Sequence, residues 1–241
     1  MLPSFLGIVA QGGGGPPPPA GVLISGQTLD VTYLTTTPAE TFNFGGGSTY
    51  LTNGESVTSF DYLNDPTTVF SLDLTGLTAL TTANVVSNAA MTSAPDFSGL
   101  TALTDANVSS NAAMTSAPDF TGCTALTTAN AYGNALMTTA PDFSGLTALT
   151  TANVSSNATM TSAPDFTGCT ALTLAYVNDC DVSDTNLLAM CVQIYDDAPA
   201  NGTLAMEGGS NGSFDGQALP GQITNLQGNG WTVTFNDNNP P

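Results

Sequence analysis

The 241-residue sequence contains no lysine, no arginine and no histidine, against 19 aspartates and glutamates, so its formal charge at pH 7 is −19. An ordinary soluble chain of this length carries roughly 30 Lys and Arg. Without them there is no basic surface for phosphates, which excludes nucleic-acid binding, and no positive stretch for anionic lipid. No two side chains can form a salt bridge. Ser-His-Asp and Cys-His catalysis are excluded, as are lysine Schiff bases and arginine clamps. Zinc could be held only by Cys and carboxylate, and acid–base chemistry would fall to carboxylates alone. No apolar run reaches the ~18 residues of a spanning helix, so no membrane insertion is predicted. The first segment, Met1–Gln11, is apolar but lacks a positive n-region, and it reads as a poor signal peptide.

What is present is small and uncharged, chiefly Thr, Ala, Ser, Asn and Gly. Apolar residues make up 41% of the chain, enough for a core, and only 8% are charged, unlike a highly charged disordered chain. The length suits one domain or two small ones. The cysteines, Cys123, Cys169, Cys180 and Cys191, are even in number, but their spacing is not that of a disulfide scaffold.

The dominant pattern is an internal repeat. Ala-Pro-Asp-Phe begins at Ala94, Ala117, Ala140 and Ala163, always 23 residues apart, with a degenerate copy at Ser71-Leu72-Asp73-Leu74. A glycine follows each copy, then Thr-Ala-Leu ending at Leu80, Leu103, Leu126, Leu149 and Leu172. Ser-Gly-Leu at Leu100 and Leu146 alternates with Thr-Gly-Cys at Cys123 and Cys169, which doubles the period to 46. A unit this short cannot close its own core, so units must stack. Each supplies one short parallel strand, near Thr81–Val86, Thr104–Ser109, Thr127–Tyr132, Thr150–Ser155 and Thr173–Asn178. Pro-Asp-Phe-x-Gly reads as a turn on the far side, and Phe97, Phe120, Phe143 and Phe166 are expected to stack in the core. Cys123 and Cys169 lie two units apart, about 10 Å, beyond disulfide reach. They are expected as buried thiols, while Cys180 could meet Cys191, or either could meet Cys169.

Within a unit, apolar residues stand at offsets 0, 3 and 5 from the leucine, with Asn at 8, as in Leu103, Ala106, Val108 and Asn111. Asn88, Asn134 and Asn157 hold the same place in their units, and offset 10 is Ala90, Ala113, Leu136 or Thr159, with Met next. Over residues 72–180 this frame resembles the leucine-rich repeat. The resemblance implies an α/β-solenoid dominated by β: a right-handed solenoid of short parallel strands, with the asparagines as an internal ladder. It is the kind found in bacterial surface and bacteriophage virion proteins. The expected organisation is an apolar anchor peptide and Gly/Pro linker (1–19), a β-rich N-terminal domain or cap (20–70), about five repeats (71–180) and an α+β C-terminal cap (181–241).

Several strands are expected before the repeats, at Val22–Ser25, Leu29–Leu34, Thr41–Phe44, Thr49–Thr52 and Val57–Tyr62. After them, Asp184 is expected to cap a helix over Thr185–Tyr195, with strands at Leu204–Met206 and Trp231–Phe235 and one helical turn at Ile223–Leu226.

The strand face is the usual binding surface of this architecture. Its outward columns are Asn84, Asn107, Asn130, Asn153 and Tyr176; Thr82, Asp105, Thr128, Thr151 and Leu174; and Val86, Ser109, Tyr132, Ser155 and Asn178. Amides and rings suit sugar hydroxyls; the plainer reading is repetition without a ligand. The aspartates at 96, 119, 142 and 165 could gather cations or simply cap turns. Asp179, Asp181 and Asp184 could hold Ca2+, but the Gly and Glu of an EF-hand loop are missing, and helix capping is the alternative. Sequons occur at Asn107, Asn153, Asn157, Asn201 and Asn211. Nothing assembles into a catalytic constellation and no cofactor is required. The expectation is a non-enzymatic structural protein, most specifically a bacteriophage virion component of tail, fibre or decoration type. Its partners would be other structural subunits, as a homo-oligomer or within a large assembly, with a cell-surface glycan as a further partner. The alternatives are a secreted or surface-located bacterial filament protein or adhesin, and a lectin-like module.

Overall fold

The computed structural model describes residues 24–25, 28–30, 41–44, 48–51, 59–63, 71–74, 77–213 and 220–236. The apolar peptide, the Gly/Pro linker, the polar tail and parts of the expected N-terminal strands lie outside the described residues. β1 (Ile24–Ser25) pairs antiparallel with β2 (Thr28–Asp30), and β3 (Thr41–Phe44) with β4 (Ser48–Leu51). β5 (Ser59–Leu63) opens a sheet of eight strands, whereas β6 (Ser71–Asp73) pairs in parallel with β2. The sheet runs on through β7 (Thr82–Val86), β8 (Asp105–Asn107), β9 (Thr128–Asn130), β10 (Thr151–Asn153) and β11 (Leu174–Tyr176). It ends with β12 (Thr203–Ala205) and β13 (Thr232–Thr234), and every neighbouring pair in it is parallel. The chain is thus a β-dominated solenoid with two helices among the described residues, α1 (Asp184–Asp197) and α2 (Gly221–Gly228).

Register shows how the turns are built. From β5 to β11, partners stand 23 residues apart, as in Ser59 with Thr82 and Thr151 with Leu174. From β11 onward the step is 29: Leu174 pairs with Thr203, and Thr203 with Thr232. The short step closes through the Pro-Asp-Phe turn and the long one through a helix. The sheet therefore begins one strand before the first that the repeat's letters mark: β5 keeps the 23-residue spacing but sets Phe60 and Tyr62 where β7 has Ala83 and Val85, and only its return path carries the degenerate Ser71–Leu74 copy.

The three-residue strands alternate strictly. Ala106, Ala129, Ala152 and Ala175 point inward and are buried, while the flanking Thr, Asp, Asn, Leu and Tyr are half-buried or exposed. Alanine keeps the layer thin, so the core is filled by residues from the turns. Leu80, Leu103, Leu126, Leu149 and Leu172 are fully buried, and burying a leucine contributes about 1.5–3 kcal/mol. Met91, Met114, Met137 and Met160 are fully buried too, whereas Leu136 is 50% exposed. The last apolar core position therefore falls at offset 11, one place later than in the frame the sequence resembles. Phe97, Phe120, Phe143 and Phe166 form a continuous stack with centroids 5.4, 5.7 and 5.5 Å apart and planes within 17°. That spacing matches offset-stacked rings.

Helix α1 takes over where the Phe column stops. Its N-cap is Ser183, whose side chain accepts from the Asn186 amide at 3.4 Å; Asp184 is the first helical residue, not the cap. Leu187, Met190, Cys191 and Ile194 are its buried face. Three polar side chains stand in for the turn that is not there. In the repeats, the amides of Phe143 and Gly145 donate to the carbonyls of Asp165 and Thr167. One turn on, the amides of Phe166 and Gly168 donate to Gln193 Oε1 (3.1 Å) and Asp197 Oδ2 (2.8 Å). The Thr161 carbonyl likewise accepts from Asn186 Nδ2 at 3.1 Å. The helix thereby satisfies the open edge of the last short turn.

Candidate interaction surface

The polar residues repeated in every unit divide into those bonded inside the solenoid and those left on its face. The first group is the larger. Asn88, Asn111, Asn134 and Asn157 are buried. Each donates from Nδ2 to a carbonyl of the preceding turn: Tyr62, Val85, Val108 and Ala131, at 2.8–3.0 Å. The Oδ1 of Asn111, Asn134 and Asn157 accepts from the backbone amide of the asparagine one turn earlier, at 2.7–2.8 Å. At the next register stands Cys180, whose Sγ donates to Val154 O at 3.4 Å and so takes the amide's place. Asn211 resumes the role in the helical part, bonding Val177 O, Met206 O and the Val182 amide.

A second ladder is formed by threonine hydroxyls. Thr104, Thr127, Thr150 and Thr173 each donate to the carbonyl of the equivalent threonine one turn before, at 2.9–3.3 Å. No expectation from sequence assigned these residues; the only signal was a Thr 23 residues from a Thr, in a chain full of Thr. A column of left-handed backbone was equally hidden. Ser87, Ser110, Gly133, Ser156 and Asp179 all have φ between 56° and 72°. Only Gly133 adopts this without a steric penalty, and Gly133 was the one visible hint.

The 46-residue period has a physical counterpart. Bridges join Asp96 to Asp119 and Asp142 to Asp165, that is, within each pair of units. In the second unit of each pair, Cys123 and Cys169 donate from Sγ to Phe97 O and Phe143 O, both at 3.1 Å. All four thiols are free and buried. Burial pushes Cys123 and Cys180 up to about 11, and Cys169 and Cys191 up to about 12. They are protonated core residues at neutral pH.

The acidic residues have modest roles. Asp96, Asp119, Asp142 and Asp165 each accept at Oδ1 from the amide two residues on, at 2.8–2.9 Å. Among the described residues no three Asp, Glu or Cys side chains form a group that could hold a metal. Asp179, Asp181 and Asp184 are exposed and are not brought together as one. Asp179 Oδ2 accepts from Asn178 Nδ2 instead.

What remains is the outer face of the sheet. Asn84 donates to Asp61 Oδ1 at 2.7 Å. The Oδ1 of Asn107 and of Asn153 accepts from the amide and hydroxyl of Ser109 and Ser155 respectively, which leaves Nδ2 as the outward donor. Asn130 and Tyr176 are half-buried, and Tyr132 is 38% exposed. Ser109 is fully buried, so it drops out of the outward column to which its spacing assigns it. Of the sequons, Asn157 and Asn211 have their amides buried in ladder bonds, a geometry closed to glycosylation. A small cleft of about 220 Å³ separates α1 from the last turn, lined by Pro164, Asp165, Asn186, Met190 and Gln193 among others. No helix among the described residues is long and apolar enough to cross a membrane. No protein-family model, curated protein or solved structure matches the chain.

Proposed function

We propose that the chain is a non-enzymatic structural and interaction protein of leucine-rich-repeat type, built to present a regular sheet face within a larger assembly. The observation that carries this reading is the division of polar groups described above. Asn and Thr of successive units, and Cys in alternate units, bond backbone inside the solenoid, while the face keeps amide and hydroxyl groups at one-strand spacing, about 4.8 Å. Such a face suits extended contact with a repeating partner, and repeat architectures are generally used this way. In its most specific form, the protein is a component of a bacteriophage virion, of tail, fibre or decoration type. The apolar Met1–Gln11 peptide, followed by four glycines and four prolines, supports this as an anchor on a spacer.

The test is peptide mass spectrometry on purified virions and on cell envelopes, with a protease that does not need Lys or Arg. Recovery with virions supports the proposal; recovery only from envelopes replaces it with a bacterial surface protein. The exposed ring of Tyr132, the half-buried ring of Tyr176 and the outward amides of Asn107 and Asn153 favour a second reading, glycan contact. Uniform lack of binding on a glycan array with Ca2+ supplied would remove it.

A further inference from the structure

The chain has 19 carboxylate side chains and no side chain that can ever carry positive charge. In an ordinary protein, acid protonates the carboxylates and leaves a polycation that repels itself and unfolds. Here the same protonation leaves a particle near neutrality, because nothing cationic stands behind the carboxylates.

The structure shows what that protonation would and would not touch. The Asn ladder, the thiol bonds, the Phe stack and the Thr ladder from Thr127 onward contain no ionisable group that changes state between pH 7 and pH 2; only the Thr104 hydroxyl, at the ladder's start, also lies against a carboxylate, Asp105 Oδ2 at 2.7 Å. The carboxylates that do accept bonds sit at the periphery. Asp96, Asp119, Asp142 and Asp165 take a neighbouring amide in the turns. Asp61 takes Asn84, Asp105 takes Thr104, Asp179 takes Asn178, Asp197 takes Gly168, and Glu207 takes Thr234. A protonated carboxyl keeps a carbonyl oxygen to accept with. The Asp column acts electrostatically on the thiols of Cys123 and Cys169, and Asp197 of α1 acts with it on Cys169; none of these groups is positive.

We infer that the solenoid is a one-way charge switch: acid leaves the fold intact, removes the −19 self-repulsion and drives copies of the chain to associate. A repulsive anion at neutral pH becomes an uncharged surface of hydroxyls and amides at acid pH, and neutral particles associate most readily.

The experiment follows the full chain by far-UV circular dichroism and sedimentation velocity at pH 7, 4 and 2.5. The companion is a variant with six exposed residues changed to lysine: Thr101, Thr124, Thr147, Thr170, Asn225 and Gln227. The expected result is an unchanged spectrum at all three pH values, monomers at pH 7, and large species at pH 2.5 that dissolve again on return to pH 7. The variant, which becomes cationic in acid, stays monomeric there. Loss of the spectrum in acid, a wild-type monomer at pH 2.5, or equal association of the lysine variant would each overturn the inference.

Discussion

The 23-residue turns and the 29-residue turns share one sheet but close differently. In the first, the return path is Pro-Asp-Phe-x-Gly, and a column of stacked rings fills the space behind the strands. In the second, α1 and α2 make the return, and Leu187, Ile194, Ile223 and Leu226 fill that space instead. Strand pairing is parallel and continuous across the change. The difference teaches that the sheet edge sets the register, while the return path is exchangeable as long as the edge amides find acceptors. Gln193 and Asp197 supply those acceptors at the junction.

The largest expected effect breaks the ring column. Phe143→Ala removes the ring between Phe120 and Phe166 and should cost about 3–5 kcal/mol, read as a lowered urea midpoint. Leu187→Ala, in the helical turn, should cost about 2–5 kcal/mol, but its loss should be confined to the C-terminal turns in limited proteolysis. Asn134→Ala comes next. It leaves the Val108 carbonyl and the Asn111 amide buried without their partner, at about 1–3 kcal/mol per group, and Asn211→Ala should match it because Asn211 makes the same kind of bonds in the longer turn. A much smaller effect at Asn211 would mean that the ladder matters only in the short turns.

Both regions bury thiols, Cys123 and Cys169 in the short turns and Cys180 and Cys191 where the helical part begins. Their folded values of about 11 to 12 lie above the ordinary value near 9. The stability they contribute is therefore complete below about pH 9 and is lost as pH rises toward 11 to 12. Thermal midpoints should fall across that window in both regions, and alkylation at pH 8 should label none of the four cysteines until the chain unfolds. The smallest effect is at the junction. Asp197→Ala should cost about 1 kcal/mol, since the side chain is partly exposed, and it should raise amide exchange at Gly168 without changing that of Gly145.

The period of 23 was legible because each turn repeats the same bonds with nearly the same letters, and with it came the β-dominated solenoid. In the turn opened by β5 only the return path, Ser71–Leu74, was legible as a repeat; the strand was not, since Phe60 and Tyr62 keep the spacing without the letters. The 29-residue turns were hidden for a different reason: a helix in the return path changes the length, and neither turn keeps the Pro-Asp-Phe letters of the shorter ones. On the candidate face, the outward Asn and Tyr columns could be placed by alternation alone. The burial of Ser109 could not, because alternation ends with the strand at Asn107. The Thr hydroxyl ladder was invisible because surface and ladder threonines are the same residue at adjacent positions, as with Thr127 and Thr128.

Neutral ladders and ring stacking hold the solenoid. Amide hydrogen exchange at pH 7, in 20 mM and in 1 M NaCl, tests it most directly. The account predicts that the backbone amides of Asn88, Asn111 and Asn134, which donate to the next asparagine's Oδ1, are among the slowest in the chain, and that salt does not speed them. Exchange at those three amides as fast as in the exposed turns, or protection that disappears in 1 M NaCl, would contradict it.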